Sequence, residues 1–162
     1  TISAPINFTM QKDGNVGLTI DFDLRASISQ DPSNTNNYIL HPVIRAVDNT
    51  KYGTISGIVK QSLLTAGCVP AVYMYNGEVT PGDVNTNAPS GEIQPITSAL
   101  LALNSTTNQY NFAASFLPPG LYTVALTCQA GDDHPNAADN ITFYPITTTT
   151  VTTGGNAVVI LQ

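Results

Sequence analysis

The sequence predicts an all-β protein, a Greek-key-type β-sandwich with extra strands at its N-terminus, and three observations carry that expectation. Short extended segments recur along the chain between turn signals, the spacing expected of sandwich strands. No run keeps a 3.6-residue apolar period; "TSALLALN" near residue 100 alternates as well as it spirals. Only 10% of the residues are charged, against about 25% in ordinary globular chains. The polar surface is therefore built from Thr, Asn, Ser and Gln, of which Thr suits strands and Asn suits turns.

Each segment has its own local reason. In residues 2–10, "ISAPINFTM", the apolar Ile2, Ala4, Ile6, Phe8 and Met10 alternate with Ser3, Pro5, Asn7 and Thr9, the two-residue period of a strand. Asp13-Gly14-Asn15 is a turn leading into "VGLTIDFDLRA", where Leu18, Ile20, Phe22 and Leu24 point one way, as core residues, and Thr19, Asp21, Asp23 and Arg25 the other. "QDPSNTNN" reads as a loop. "YILHPVIRAV" is extended, with Pro42 removing a ladder donor and so marking an edge or a bulge. "GTISGIVK" and "VPAVYMY" are strands on either side of a connection carrying Cys68, and residues 77–95, rich in Gly, Pro, Asn and Thr, form a long loop. "ITSALLAL", "QYNFAASF", "GLYTVALTC", "ITFYPI", the Thr-rich "TTTTVTT" and "NAVVILQ" complete the strands. In "FLPPGLYTVALTC" the Pro119-Gly120 pair favours a tight reversal, predicting a hairpin whose second strand turns Tyr122, Val124, Leu126 and Cys128 towards a core.

At 162 residues the chain is one domain, or one domain with an appended piece. The net charge is −6, with five Lys and Arg scattered singly, which leaves no surface to track phosphates and excludes nucleic acid as a partner. No apolar run approaches the roughly 20 residues of a membrane helix, so no membrane span is expected. No signal-peptide pattern opens the sequence, so a secreted protein would be present here in mature or trimmed form. Cys68 and Cys128, the only two cysteines, are expected to form a disulfide in so export-like a chain; two buried free thiols are the alternative.

Chemistry is sparse. In "GDDHPNAADN" the carboxylates of Asp132, Asp133 and Asp139 are hard oxygen donors suited to Ca²⁺, although the spacing is not that of an EF-hand and a solvated acidic turn is the plainer reading. Asp21 and Asp23 share a strand face about 7 Å apart; paired carboxylates can serve glycosidase chemistry, yet here they sit on the polar side of an amphipathic strand. There is no G-x-S-x-G, neither His134 nor His41 joins a nucleophile motif, and an enzyme is not expected. Tyr73 and Tyr75 face away from Val72 and Met74, either as an exposed aromatic strip or as half of a core buried on both faces. Sequons at Asn7, Asn104 and Asn140 are near chance in so Asn- and Thr-rich a chain.

Two stretches resemble known families. "SGIV", "AVYMYNG", "YNFAASFLPPGLYTVAL" and "TTTTVTTGGNAVVILQ" are similar to the carboxypeptidase-regulatory-like (transthyretin- or prealbumin-like) sandwich modules of surface proteins. "LTIDFDLRASI" followed by "YILHPVIRAVDN" resembles the C-terminal end of a domain-of-unknown-function family, number 4382, of bacterial surface lipoproteins. The resemblance implies residues 53–162 as the regulatory-like sandwich and residues 1–52 as the last strands of the lipoprotein-type domain; exchange of that segment between subunits is a separate expectation, argued from its apolar row. It implies a bacterial extracellular or cell-surface location with surface attachment, and no catalytic residues. An end strand with an apolar row, Ile2 to Met10, beside strand edges that natural proteins rarely leave bare, leads to the expectation of a homo-oligomer or homopolymer, a filament built by β-strand donation. The alternatives are that the strand folds back into its own sheet, and that the chain is a monomeric adhesin-like module for a glycan or a surface protein.

Overall fold

The structure, a computed structural model, describes Gly14 and residues 16–162. The strand expected over Ile2, Ala4, Ile6, Phe8 and Met10 lies outside the described residues. Among those described, two two-stranded ribbons precede a pair of four-stranded sheets. The first ribbon pairs β1 (Leu18–Phe22) with β4 (Ile44–Asp48), and the second pairs β2 (Ile28–Asp31) with β3 (Asn34–Leu40), both antiparallel. The sandwich begins at β5 (Gly53–Val59) and continues through β6 (Ala71–Asn76), β7 (Thr97–Leu100), β8 (Ala102–Asn104), β9 (Gln109–Leu117), β10 (Gly120–Thr127), β11 (Ile146–Val151) and β12 (Asn156–Leu161). One sheet has the order β11-β10-β6-β7 and is antiparallel throughout. The other has the order β12-β5-β9-β8, with β12 parallel to β5. The chain changes sheet between β5 and β6, β7 and β8, β9 and β10, and β11 and β12, while β6–β7, β8–β9 and β10–β11 pair within one sheet.

The inner faces follow the two-residue period. Val72 and Met74 of β6 and Val124 and Leu126 of β10 meet Ile55, Val59, Phe112 and Leu161 of the other sheet. Gly57 lies opposite Phe112 in the β5–β9 register, where a Cβ would overlap the Phe112 ring and the Val159 carbonyl. Phe116, at φ 60°, marks the place where β9 slips register against β5 between Gly53 and Ile55.

The segment around Pro118-Pro119-Gly120 is a crossover rather than the expected hairpin. Strand β9 ends in one sheet and β10 starts in the other, paired with β6 and β11. The Tyr122 hydroxyl donates back to the Pro118 carbonyl at 2.8 Å, fixing the corner as tyrosine corners do in other sandwiches. The face carrying Tyr122, Val124 and Leu126 is core, as the alternation predicts, but Thr123, Ala125 and Thr127 are buried as well.

Other expectations need correction. The strand expected through Arg25 stops at Phe22, because the Asp23 carboxylate accepts from the Ala26 amide at 3.0 Å and caps one helical turn, α1 (Leu24–Ser27). "QDPSNTNN" is mostly strand, closed by a tight turn in which Asp31 accepts from the Ser33 amide at 2.8 Å. Pro42 falls between β3 and β4, consistent with its missing donor. "ITFYPI" is strand only from Ile146, although the Tyr144 amide donates to the Leu126 carbonyl and the Leu126 amide to the Pro145 carbonyl. Most tellingly, the row Leu18, Ile20, Phe22 and Leu24, expected to face a core, is exposed, Ile20 by 70% and Leu24 by 61%.

Candidate functional site

The outer face of β6 carries a second core, and the polar groups of the molecule gather around it. Tyr73 and Tyr75 are fully buried there with Ala71, Val84, Ala125 and Ala130, so β6 is buried on both faces. The rings lie 5.4 and 6.2 Å from that of Phe143. The cover comes from three directions. Ala26 and Arg25 of α1 approach from the N-terminal segment, Val79 and Val84 from the long loop 77–95, and Ala130, Ile141 and Phe143 from the loop after β10.

Buried tyrosine hydroxyls need partners, and both have them. The Tyr75 hydroxyl donates to the Gly82 carbonyl, and that of Tyr73 to the Asp133 carboxylate. Arg25 lies 5.9 Å from the centre of the Tyr73 ring and donates to the Ala130 carbonyl at 2.6 Å. Burial pushes the Asp133 carboxyl up from its ordinary value, opposed by the hydrogen bonds from Tyr73 and the Val84 amide. Burial, reinforced by that bond to Asp133, also raises the Tyr73 phenol; Tyr75 is raised first by burial, then by the neighbouring Tyr73 and by the carboxylates of Asp133 and Asp83.

Asp133 belongs to a cluster with Asp83 and Asp139, one ligand atom of each lying within 4.8 Å of the others. Sequence reasoning named Asp133 and Asp139 but set Asp132 beside them. Asp132 is exposed and lies outside this cluster, because neighbouring residues in the loop turn in different directions. Asp83 takes its place from a loop 50 positions upstream, a partnership with no local signal in the sequence. By donor type the three carboxylates fit a hard cation such as Ca²⁺. They are also engaged within the protein: Asp83 accepts from the Asp139 amide at 2.6 Å, Asp133 from the Val84 amide at 3.2 Å, and Asp139 from the backbone amide of His134. The cluster thus ties the 77–95 loop to the 131–140 loop.

The pair Asp21 and Asp23 is taken apart by its surroundings. Asp21 makes an ion pair with Arg45 at 2.7 Å, and Asp23 caps α1, so each carboxylate is engaged within the protein and neither is simply a solvated face. Both line an open groove of 510 Å³ bounded by Phe22, Leu24, Ile28 and the strand β7. Cys68 and Cys128 form the expected disulfide, joining the approach to β6 and the end of β10 across a separation of 60 residues. Next to it the Val69 amide donates to the Cys128 carbonyl at 2.8 Å.

No helix among the described residues is long and apolar enough to cross a membrane. Comparison with protein-family profiles, with curated proteins and with solved structures gives no match. Fold and site together define an all-β sandwich that carries a disulfide and a second core on the outer face of β6.

Proposed function

We propose that this chain is a non-enzymatic extracellular structural protein of a bacterial surface, a subunit that assembles with copies of itself into a filament by donating its N-terminal strand. The observation that carries the reading is the exposed apolar row Leu18, Ile20 and Phe22 on a ribbon of only two strands, followed by the exposed Leu24 at the start of α1. A two-stranded ribbon is marginal alone, and contiguous exposed apolar surface marks a place where another chain sits. The disulfide is compatible with an oxidising compartment. Sedimentation and negative-stain microscopy of the intact protein test the proposal. Concentration-dependent polymers are expected, and a monodisperse monomer across the accessible range overturns it.

The second reading, a monomeric adhesin-like module for a glycan or a surface protein, draws on the 510 Å³ groove and is what a stable monomer would favour. Calcium enters only through Asp83, Asp133 and Asp139. A rise in melting temperature at millimolar Ca²⁺ that Asp83→Asn removes supports it, and no shift retires it.

A further inference from the structure

The donor-strand reading names a donor but no acceptor. The antiparallel sheet ends at β7, whose far side pairs with no described strand. An unpaired edge presents a row of amides and carbonyls to which an extended chain can add. Alongside that edge runs the 510 Å³ groove, with Thr97, Ser98 and Leu100 of β7 on one side and Phe22, Leu24 and Ile28 of the N-terminal segment on the other. Its apolar rims are open: Leu100 is 69% exposed, and Phe22, Leu24 and Ile28 are exposed too. Strands β8, β11 and β12, which end the sheets elsewhere, line neither this groove nor the neighbouring 470 Å³ cleft.

The charged residues of the groove already have partners. Asp21 is paired with Arg45, Asp23 accepts from the Ala26 amide, Arg25 donates to the Ala130 carbonyl and Asp133 accepts from Tyr73. With those side chains held by the protein's own groups, what the groove offers an occupant is its apolar rims, which suit an extended chain with apolar side chains at every second position. Residues 2–10 have that composition: no charge, and Ile2, Ala4, Ile6, Phe8 and Met10 in alternation. Pro5 among them is tolerable at the outer edge of a sheet, where one missing amide faces away from the ladder.

We propose that the groove between β7 and the β1–α1–β2 segment is the acceptor, and that it receives residues 2–10 of a second copy of this chain. The proposal rests on the donor-strand reading and adds its receiving site. Because donor and acceptor are different surfaces, the contact is heterologous and repeats head to tail, giving a filament where the rotation between copies does not close a ring.

Two measurements test it. The first compares polymer formation by the wild-type chain and by the Leu24→Lys, Leu100→Lys double variant, whose replaced side chains are exposed. The variant should form no polymers of its own, and should shorten wild-type polymers when mixed with them, because it can still donate. The second mixes an Ile6→Cys chain with a Leu100→Cys chain under mild oxidation, and a cross-linked heterodimer is expected. If the wild type polymerises and the double variant does so equally well, this acceptor is wrong while strand donation stands. If Ile6→Cys and Leu100→Cys placed in one chain link only within that chain, the occupant is its own N-terminus and the proposal fails. If the wild type never polymerises, both the acceptor and the functional reading fall.

Discussion

Residues 53–162 and residues 16–52 are both built of strands, yet they place their apolar side chains in opposite ways. In the sandwich, β6 and β10 bury both faces, one between the sheets and one under the loops that carry Asp83 and Asp133. In the preceding ribbons, Leu18, Ile20, Phe22, Ile28, Tyr38 and Leu40 are all exposed. What anchors the ribbons to the sandwich is largely polar: Arg25 to Ala130, and Arg45 to Ser115 at 3.2 Å. The difference teaches that the sandwich builds its cores from its own strands and loops, while the N-terminal region, together with the β7 edge beside it, retains surface suited to another chain. Substitutions should accordingly be felt as lost stability in one region and as altered assembly in the other.

The largest effect on stability is expected at the disulfide. Replacing Cys68 and Cys128 together by Ala opens a loop of 60 residues, for which chain entropy gives roughly 4 kcal/mol of lost stability. Urea unfolding of the variant measures it; an unchanged midpoint would mean that the bond restrains nothing.

Next comes the outer core. Tyr73→Phe removes the hydroxyl that Asp133 accepts from and leaves a buried carboxylate short of a donor, at a cost of about 1–3 kcal/mol. The effect should depend on pH. Burial raises the Asp133 carboxyl, so its contribution is fully present below the unfolded value and is lost as pH rises through the folded one. Losing Tyr73 raises that carboxyl further, so the deficit should grow from acid towards neutral pH, and Asp133→Asn should flatten that trend. Asp48, held below the ordinary range by the Thr50 hydroxyl and amide, has the opposite sign: its contribution is present above the unfolded value and lost as pH falls through the lowered one. Unfolding curves from pH 3 to 7 separate the two.

The smallest effect on stability should come from the ribbon. Ile20→Ser, at a side chain 70% exposed, should move the unfolding free energy by no more than about 0.5 kcal/mol. A loss of several kcal/mol would show that the row is core after all, and would remove the contrast between the regions.

The same contrast explains what could be read from the sequence. The sandwich strands were legible because a strand with one buried face writes a period of two, as in Ile55, Gly57 and Val59 of β5. The partner sheet of each strand was not legible, so the Pro118-Pro119 crossover looks like a hairpin: turn residues fix a reversal, while pairing is decided by contacts far away. The row Leu18 to Leu24 has the same period, and alternation alone cannot say whether its apolar side meets this chain or another. Asp133 and Asp139 were found because they are close in sequence. Asp83 was missed because only the folding of the 77–95 loop over Tyr75 brings it to them.

The central claim of the proposal is that residues 1–10 serve assembly and not the stability of their own sandwich, and deleting them tests it most directly. Melting temperature and polymer length are measured on the intact and the shortened chain at equal concentration. The account predicts that the shortened chain melts within a degree or two of monomeric intact protein and forms no polymers. A shortened chain that still builds filaments of full length, or one whose sandwich unfolds for want of the strand, would contradict it.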